Sequence, residues 1–98
     1  MSSSAHWLIS QLRGKREMKV IDVNCFEMYY DNKKMIIYCP TTDEYEITSA
    51  IIYKAKNTNA VILAYPHQWC RATSSAISLG KSLGIDVIPF GRFFDLYG

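Results

Sequence analysis

The sequence lacks a long apolar segment and a glycine-rich phosphate-binding loop, and each absence excludes a class of protein. No apolar run approaches the roughly 20 residues that a membrane-spanning helix needs. Residues 1–15 show neither the apolar centre nor the cleavage site of a signal peptide. We therefore expect a cytoplasmic protein with no membrane partner. There is no Gly-Lys-Ser/Thr sequence of the kind that binds nucleotide phosphates.

Cysteine is also scarce. The chain has three cysteines, Cys25, Cys39 and Cys70, which are odd in number and far apart. Two of them fall in strand or hairpin patterns, so neither a disulfide framework nor a zinc site is indicated. We predict that all three are small buried hydrophobic residues.

What remains is an ordinary globular composition with little net charge. Of the 98 residues, 49% are hydrophobic and 20% are charged, which predicts one domain over residues 1–98, with residues 1–4 as a disordered N-terminus. The net charge is +2. Two short basic patches could contact phosphates or could simply be solvated helix and hairpin ends. They contain Arg13, Lys15, Arg16 and Lys19 in one case and Lys33 and Lys34 in the other.

The apolar periodicity of the first half predicts a helix, a strand, a hairpin and a second helix. Spacings of three and four residues predict a helix that stops at Gly14. A strand over Met18–Val23 follows, and then a hairpin in which Phe26–Tyr30 and Lys34–Cys39 flank Asp31-Asn32-Lys33. The second helix is predicted from Asp43 to Lys56, with Thr41-Thr42-Asp43 as its cap and acidic residues in its first turn.

Residues Asn59 to Phe90 form the clearest pattern, a βαβ unit. Two apolar runs, Ala60–Tyr65 and Ile85–Phe90, flank a helix pattern that Gly84 closes. The tail 91–98 adds one or two helical turns. We therefore predict a single-domain α/β fold with a mixed sheet, the order α-β-β-β-α-β-α-β, a short C-terminal helix, and helices on both faces. The apolar stripe of the helix within the unit contains Trp69, Ala72, Ala76, Leu79 and Leu83.

This element order, together with Asn59–Ala64 and Ser75–Ile88, resembles the restriction-endonuclease-like superfamily of PD-(D/E)-x-K nucleases, especially its Mrr-type and Holliday-junction-resolvase-like branches. The resemblance implies an active site on the hairpin. An acidic residue opens the first strand, and an acid-x-lysine triplet ends the second. Two carboxylates then hold Mg²⁺ while the lysine orients or deprotonates the attacking water.

Carried onto this chain, the resemblance gives an incomplete site. Glu27 takes the first acidic position, but the triplet falls on Tyr38-Cys39-Pro40, which offers neither carboxylate nor lysine. We therefore expect no bound metal and no cofactor. The alternative is a displaced catalytic centre of Glu27, Glu44 and Lys54, with Glu27 as a Mg²⁺ ligand. In the predicted second helix, Lys54 lies between Ala50 and Ile47 in the middle of the apolar face, and Glu44 lies beside Ile51 on the same side. Lys54 could still reach solvent while Glu44 caps the first turn.

A second candidate site follows the first strand of the βαβ unit. His67 and Arg71 would lie one helical turn apart at a helix start, where free N–H groups attract an anion. Ligands of α/β sheets bind at this edge, the carboxyl ends of parallel strands. Ordinary packing and solvation of these side chains is the alternative.

Three functions remain open. The first, which we favour, is a nuclease-fold module without the usual metal site that binds nucleic acid, DNA or RNA, or a protein. The second is an active Mg²⁺-dependent nuclease with the displaced centre, and the third is a small interaction or regulatory domain unrelated to nucleic acid. Whether the chain is an enzyme stays open, with a non-enzyme favoured. The apolar tail Phe90–Tyr97 suggests a homodimer, as in resolvase-like proteins.

Overall fold

The computed structural model describes residues 3–12, 14, 17–22, 24–40, 44–67 and 70–97. The elements in chain order are α1 (Ser3–Leu12), β1 (Met18–Asp22), β2 (Cys25–Tyr30), β3 (Lys33–Tyr38), β4 (Glu46–Ile47), α2 (Ser49–Asn57), β5 (Ile62–Tyr65), β6 (Arg71–Ala72), α3 (Ser74–Ser82), β7 (Asp86–Pro89) and α4 (Phe90–Tyr97). Five of the described strands form one mixed sheet in the order β1-β2-β3-β5-β7, and the other two, β4 and β6, form a separate ribbon. This arrangement confirms the predicted α/β class.

The first three strands form an antiparallel meander. Tyr30 pairs with Lys33, so the hairpin loop has two residues, Asp31 and Asn32, rather than the predicted three. Both loop residues have positive φ angles, 53° and 62°. A two-residue turn of this kind matches the right-handed twist of the strands, and Asp and Asn tolerate positive φ better than most residues.

The predicted βαβ unit is confirmed. Strands β3, β5 and β7 run parallel, and α3 provides the crossover from β5 to β7. Helix α3 ends at Ser82, and Gly84 follows its C-cap residue Leu83 as predicted, with a φ of +80°. Ile85 N donates to Gly80 O at 2.7 Å. Gly80 lies against β7, since a Cβ atom there would be 2.8 Å from Val87 Cγ2 and 2.9 Å from Ile85 O.

Helices cover both faces of the sheet, as predicted, because strand side chains alternate between two apolar cores. One core joins α1 and α4 to the sheet, and the other joins α2 and α3 to it. On β2, Phe26 and Met28 face the first core whereas Cys25 faces the second. The first core contains Leu8, Leu12, Phe26, Met28, Ile37, Cys39, Ile62, Ala64, Phe90 and Phe93. The second contains Cys25, Tyr38, Ile47, Ile52, Ala55, Ala60, Leu63, Cys70, Ala76, Ile85 and Val87.

The predicted starts of the second and third helices are wrong for one shared reason. The short strands β4 and β6 pair in parallel, so the residues before each helix are extended. Helix α2 begins after Thr48 rather than at Asp43, and its first turn holds no acidic residue. Helix α3 begins after Thr73, whose hydroxyl accepts a hydrogen bond from Ala76 N at 3.1 Å. Ala72 is therefore a strand residue. The predicted cap Thr41-Thr42-Asp43 and Trp69 lie outside the described residues.

Both ends of the chain pack on its own sheet. Helix α1 begins at Ser3, within the stretch 1–4 that we predicted as a disordered N-terminus, and residues 1 and 2 lie outside the described ranges. In α4, Phe90 and Phe93 are buried in the first core, and Trp7 stacks on Phe90 with ring centroids 5.5 Å apart. The apolar tail is thus an internal element of the fold, which removes the reason for expecting it to dock on a second copy.

The cysteine prediction is confirmed, since Cys25, Cys39 and Cys70 are all buried.

Candidate functional site

A buried polar cluster lies at the carboxyl end of β3. Tyr38, the last residue of β3, faces the core beneath α2 and α3. Glu44 approaches it from the segment before β4, and Lys54 reaches it from α2. Glu44 is only 7% exposed and is the one charged residue in the described part of the chain that is buried. A buried charge has to be paired and hydrogen-bonded, so its partners define the site.

The Glu44 carboxylate accepts hydrogen bonds from two side chains. Tyr38 Oη lies 3.0 Å from Oε1 and 3.1 Å from Oε2, and Lys54 Nζ donates to Oε2 at 2.8 Å. Asn24 Nδ2 donates in turn to Tyr38 Oη at 3.3 Å. The ammonium of Lys54 stays partly in solvent, since 59% of its side chain is exposed. The cluster is therefore a hydrogen-bonded ion pair that is buried on its acidic side and open on its basic side.

Tyr38 can act in this cluster as a hydrogen-bond donor. Burial raises the pKa of its hydroxyl well above the usual range, the amide of Asn24 opposes that rise, and the nearby charge of Glu44 adds to it. The phenol thus keeps its proton at neutral pH. Tyr38 therefore holds the Glu44 carboxylate in place and is not a base for proton abstraction.

The structure brings together two of the three residues of the predicted displaced centre, Glu44 and Lys54. The third, Glu27, forms its own ion pair with Lys34 at 3.4 Å. Glu27 lies on the same sheet face as Tyr38, because it pairs with Ile36, two residues earlier in β3. Each carboxylate is therefore next to its own lysine. Within the described ranges, no group of three His, Cys, Asp or Glu side chains could hold a metal ion.

The predicted surroundings of Lys54 and Glu44 need correction. The buried face of α2 is formed by Ile52 and Ala55, so Lys54 lies beside the apolar face rather than in its middle. Ile47, which we placed on the same helix face, belongs to β4. Glu44 does not cap the helix, because α2 begins only at Ser49.

Cys70, the residue before β6, also contacts the cluster. Its Sγ donates to Glu44 O at 3.3 Å, and burial, with a smaller effect from the Glu44 charge, raises the pKa of the thiol to about 11. A thiol with such a pKa is protonated at neutral pH and is a poor nucleophile. Cys70 therefore fixes the backbone that carries Glu44.

The predicted anion site of His67 and Arg71 does not have the expected geometry. His67 lies in an exposed turn and Arg71 in β6, so the two are not one helical turn apart. Arg71 instead lines a shallow groove of about 410 Å³ together with Tyr45, Glu46, Ala72 and Thr73. Sequence reasoning missed this groove, because strands of two residues show no periodicity.

The predicted basic patches are partly brought together by strand register. Because β1 and β3 both run antiparallel to β2, their first residues, Met18 and Lys33, lie at the same end of the sheet. Glu17, Tyr29 and Lys34 form one row across the strands, since Tyr29 N donates to Glu17 O at 3.0 Å and Tyr29 pairs with Lys34. We call this part of the molecule the basic end.

The basic end carries exposed lysines on both β1 and β3. Lys19, Lys33 and Lys34 are exposed, and Tyr29 beside them is 43% exposed. The other basic residues of the first patch precede β1 in the sequence and lie outside the described residues. They are Arg13, Lys15 and Arg16.

Comparison with protein-family models, with curated proteins and with solved structures found no match to this chain. None of the described helices has the length and apolar character needed to cross a bilayer.

Proposed function

We propose that the chain is a nuclease-like scaffold that binds the phosphate backbone of nucleic acid without cleaving it. The observation that carries the proposal is the basic end, where strand register joins Lys33 and Lys34 to the start of β1. The element order also agrees with the resemblance: a helix, an antiparallel meander, a helix and a parallel strand.

The charge distribution supports phosphate binding at this end of the molecule. Residues 13–19 contain four basic residues and one acidic residue, whereas the rest of the chain contains seven basic and eight acidic residues. The positive excess of the chain therefore comes from the segment that leads into β1. Lysine and arginine bind nucleic acid mainly by neutralising phosphates, and an exposed tyrosine such as Tyr29 can stack on an unpaired base.

The absence of cleavage is proposed from the cluster at Tyr38. In the resembling nucleases, the end of the second hairpin strand supplies a carboxylate and a lysine to a metal site. Here Tyr38 takes that place and donates to Glu44, whose charge Lys54 already neutralises. A Mg²⁺ ion would have to displace these donors from the Glu44 carboxylate.

Salt-dependent binding tests the first half of the proposal. Binding of duplex and single-stranded oligonucleotides would be measured by fluorescence anisotropy at several salt concentrations for the wild-type protein, a K33Q/K34Q variant and a control variant, K81Q/R92Q. The control removes the same charge from α3 and α4. We expect K33Q/K34Q to weaken binding and to reduce the slope of log K against log salt by up to about 1.8, or about 0.9 for each phosphate contact. The control should match wild type.

Several outcomes would overturn the proposal. No binding at low salt would refute a nucleic-acid role, and an equal loss in both variants would show that the basic end is not the site. Cleavage of supercoiled DNA or structured RNA that needs Mg²⁺ and disappears in E44Q would favour the displaced-centre nuclease instead. If neither polymer is cleaved by a protein that still binds, the proposal stands.

A further inference from the structure

The two edges of the five-stranded sheet differ in their ability to accept another strand. At the β7 edge, Asp86 N donates to Val61 O at 2.9 Å, so Asp86 and Ile88 turn their backbone groups toward β5. Val87 and Pro89 therefore face outward. Pro89 has no N–H, so this edge has lost one of its two outward donors and is a poorer template for strand addition.

The β1 edge has no proline, and it is regular up to Val20, after which the register with β2 shifts between Val20 and Asp22. Since Tyr29 N donates to Glu17 O, the backbone groups of Glu17 and Lys19 point toward β2, and those of Met18 and Val20 point outward. No backbone hydrogen bond from another described segment reaches these outward groups. Val20 is also 48% exposed. The regular part of this edge is able to pair with another strand.

We propose that β1 pairs antiparallel with β1 of a second copy, giving a dimer with one continuous sheet. The outward groups of Met18 and Val20 allow three two-fold registers, centred on Met18, on Lys19 or on Val20. Centring on Lys19 places the two Lys19 side chains directly opposite each other, which is unfavourable. Centring on Val20 brings the irregular residues after Val20 into the interface and pairs no opposite charges.

In the register centred on Met18, opposite charges of the two β1 strands face each other. It places Lys19 of each copy opposite Glu17 of the other, so that the seam contains two cross-strand ion pairs. Both side chains are exposed and lie on the same face of the sheet, as the alternation of strand residues requires. This self-complementarity of charge is the reason for choosing a second copy, rather than an unrelated strand, as the occupant of the edge.

The seam is small, so the dimer is weak. Interfaces below the standard size are typical of transient complexes, and we expect a dissociation constant between about 1 µM and 1 mM. The proposed dimer does not depend on nucleic-acid binding, so it can be tested with the protein alone.

Sedimentation equilibrium of the full chain and of two charge-reversal variants tests the proposal. E17K gives each chain two lysines in the seam, and K19E gives each chain two glutamates, so each variant should dimerise at least about tenfold more weakly than wild type. The double variant E17K/K19E restores opposite charges and should regain the wild-type constant. An equimolar mixture of E17K and K19E should form a heterodimer that is tighter than either homodimer.

The mixture also distinguishes charge repulsion in the seam from a folding defect, because variants that fail to fold would not associate with each other. As a second readout, the Met18 amide should be protected from hydrogen exchange at high protein concentration and lose that protection on dilution. The proposal is overturned if the wild-type chain stays monomeric across this concentration range. It is also overturned if E17K dimerises like wild type, or if the mixed variants form no heterodimer.

Discussion

Replacing Lys54 with methionine should destabilise the protein more than replacing the buried Glu44 with glutamine. Lys54→Met removes the ammonium that pairs with the buried Glu44 carboxylate, whereas its hydrogen-bond donor Tyr38 remains. Glu44→Gln keeps the shape of the side chain and an oxygen that can accept from Tyr38, and it frees a lysine that is already largely in solvent. The two partners of one ion pair should therefore give unequal effects.

The magnitudes follow from burial. Removing one partner of a fully buried pair costs about 3–5 kcal/mol, but the exposed ammonium of Lys54 means that solvent screens this pair. We expect Lys54→Met to lower the free energy of unfolding by about 2 kcal/mol and Glu44→Gln by about 1 kcal/mol. The double variant should lose only about 1 kcal/mol, because no charge is then buried, which gives a coupling of about 2 kcal/mol.

Urea unfolding at about pH 7, with comparison of slopes and midpoints, measures these values. Lys56→Met is a matched control, because Lys56 also lies in the last turn of α2, where basic residues favour the helix end. It should cost less than about 0.5 kcal/mol. As pH falls and carboxylates take up protons, the difference between wild type and Lys54→Met should shrink. A Lys54→Met variant no less stable than the Lys56→Met control would refute the reasoning.

Three further predictions concern the fold. Gly80→Ala should cost about 2 kcal/mol, because the new methyl group would overlap β7, whereas Gly91→Ala in α4 meets no atom within 4 Å and should be neutral or stabilising in thermal unfolding. Asn32→Ala should cost about 1 kcal/mol by the same assay, because φ is positive there. Burial raises the thiol pKa of Cys70 from 9.0 to about 11, so stability present below pH 9 is lost as pH rises toward 11, by up to about 1.4 kcal/mol per pH unit. Cys70→Ala should show a shallower loss over that range, measured by urea unfolding.

The elements that the sequence predicted well are those with many residues and strong local signals. The βαβ unit has two apolar runs and a glycine at the helix end, and all of these agree with the structure. The ribbon of β4 and β6 could not be predicted, because each strand has two residues and their pairing depends on a contact between distant segments. Because residues paired in a strand cannot also begin a helix, this pairing places both helix starts later in the sequence than we predicted.

The candidate site also depends on contacts between separate segments, which local sequence patterns do not reveal. Glu44 and Lys54 were predicted as charged residues on the apolar face of a helix, and they do meet. Their shared position had been reached by counting along a helix that does not extend back to Glu44. The role of Tyr38 in holding the Glu44 carboxylate depends on the distance between them in the folded chain, so it could not be predicted from the sequence. The basic end likewise depends on strand register, which places Lys33 beside the start of β1.

The proline at the end of β7 limits how the protein can assemble. A sheet with two open edges could add copies at both sides and grow without end, as fibrils do. Because Pro89 removes one of the two outward donors of β7, strand addition is favoured at β1. Pairing through β1 about a two-fold axis uses that edge on both copies and leaves only the proline edges outside. Assembly by strand addition should therefore stop at two chains, even at high protein concentration.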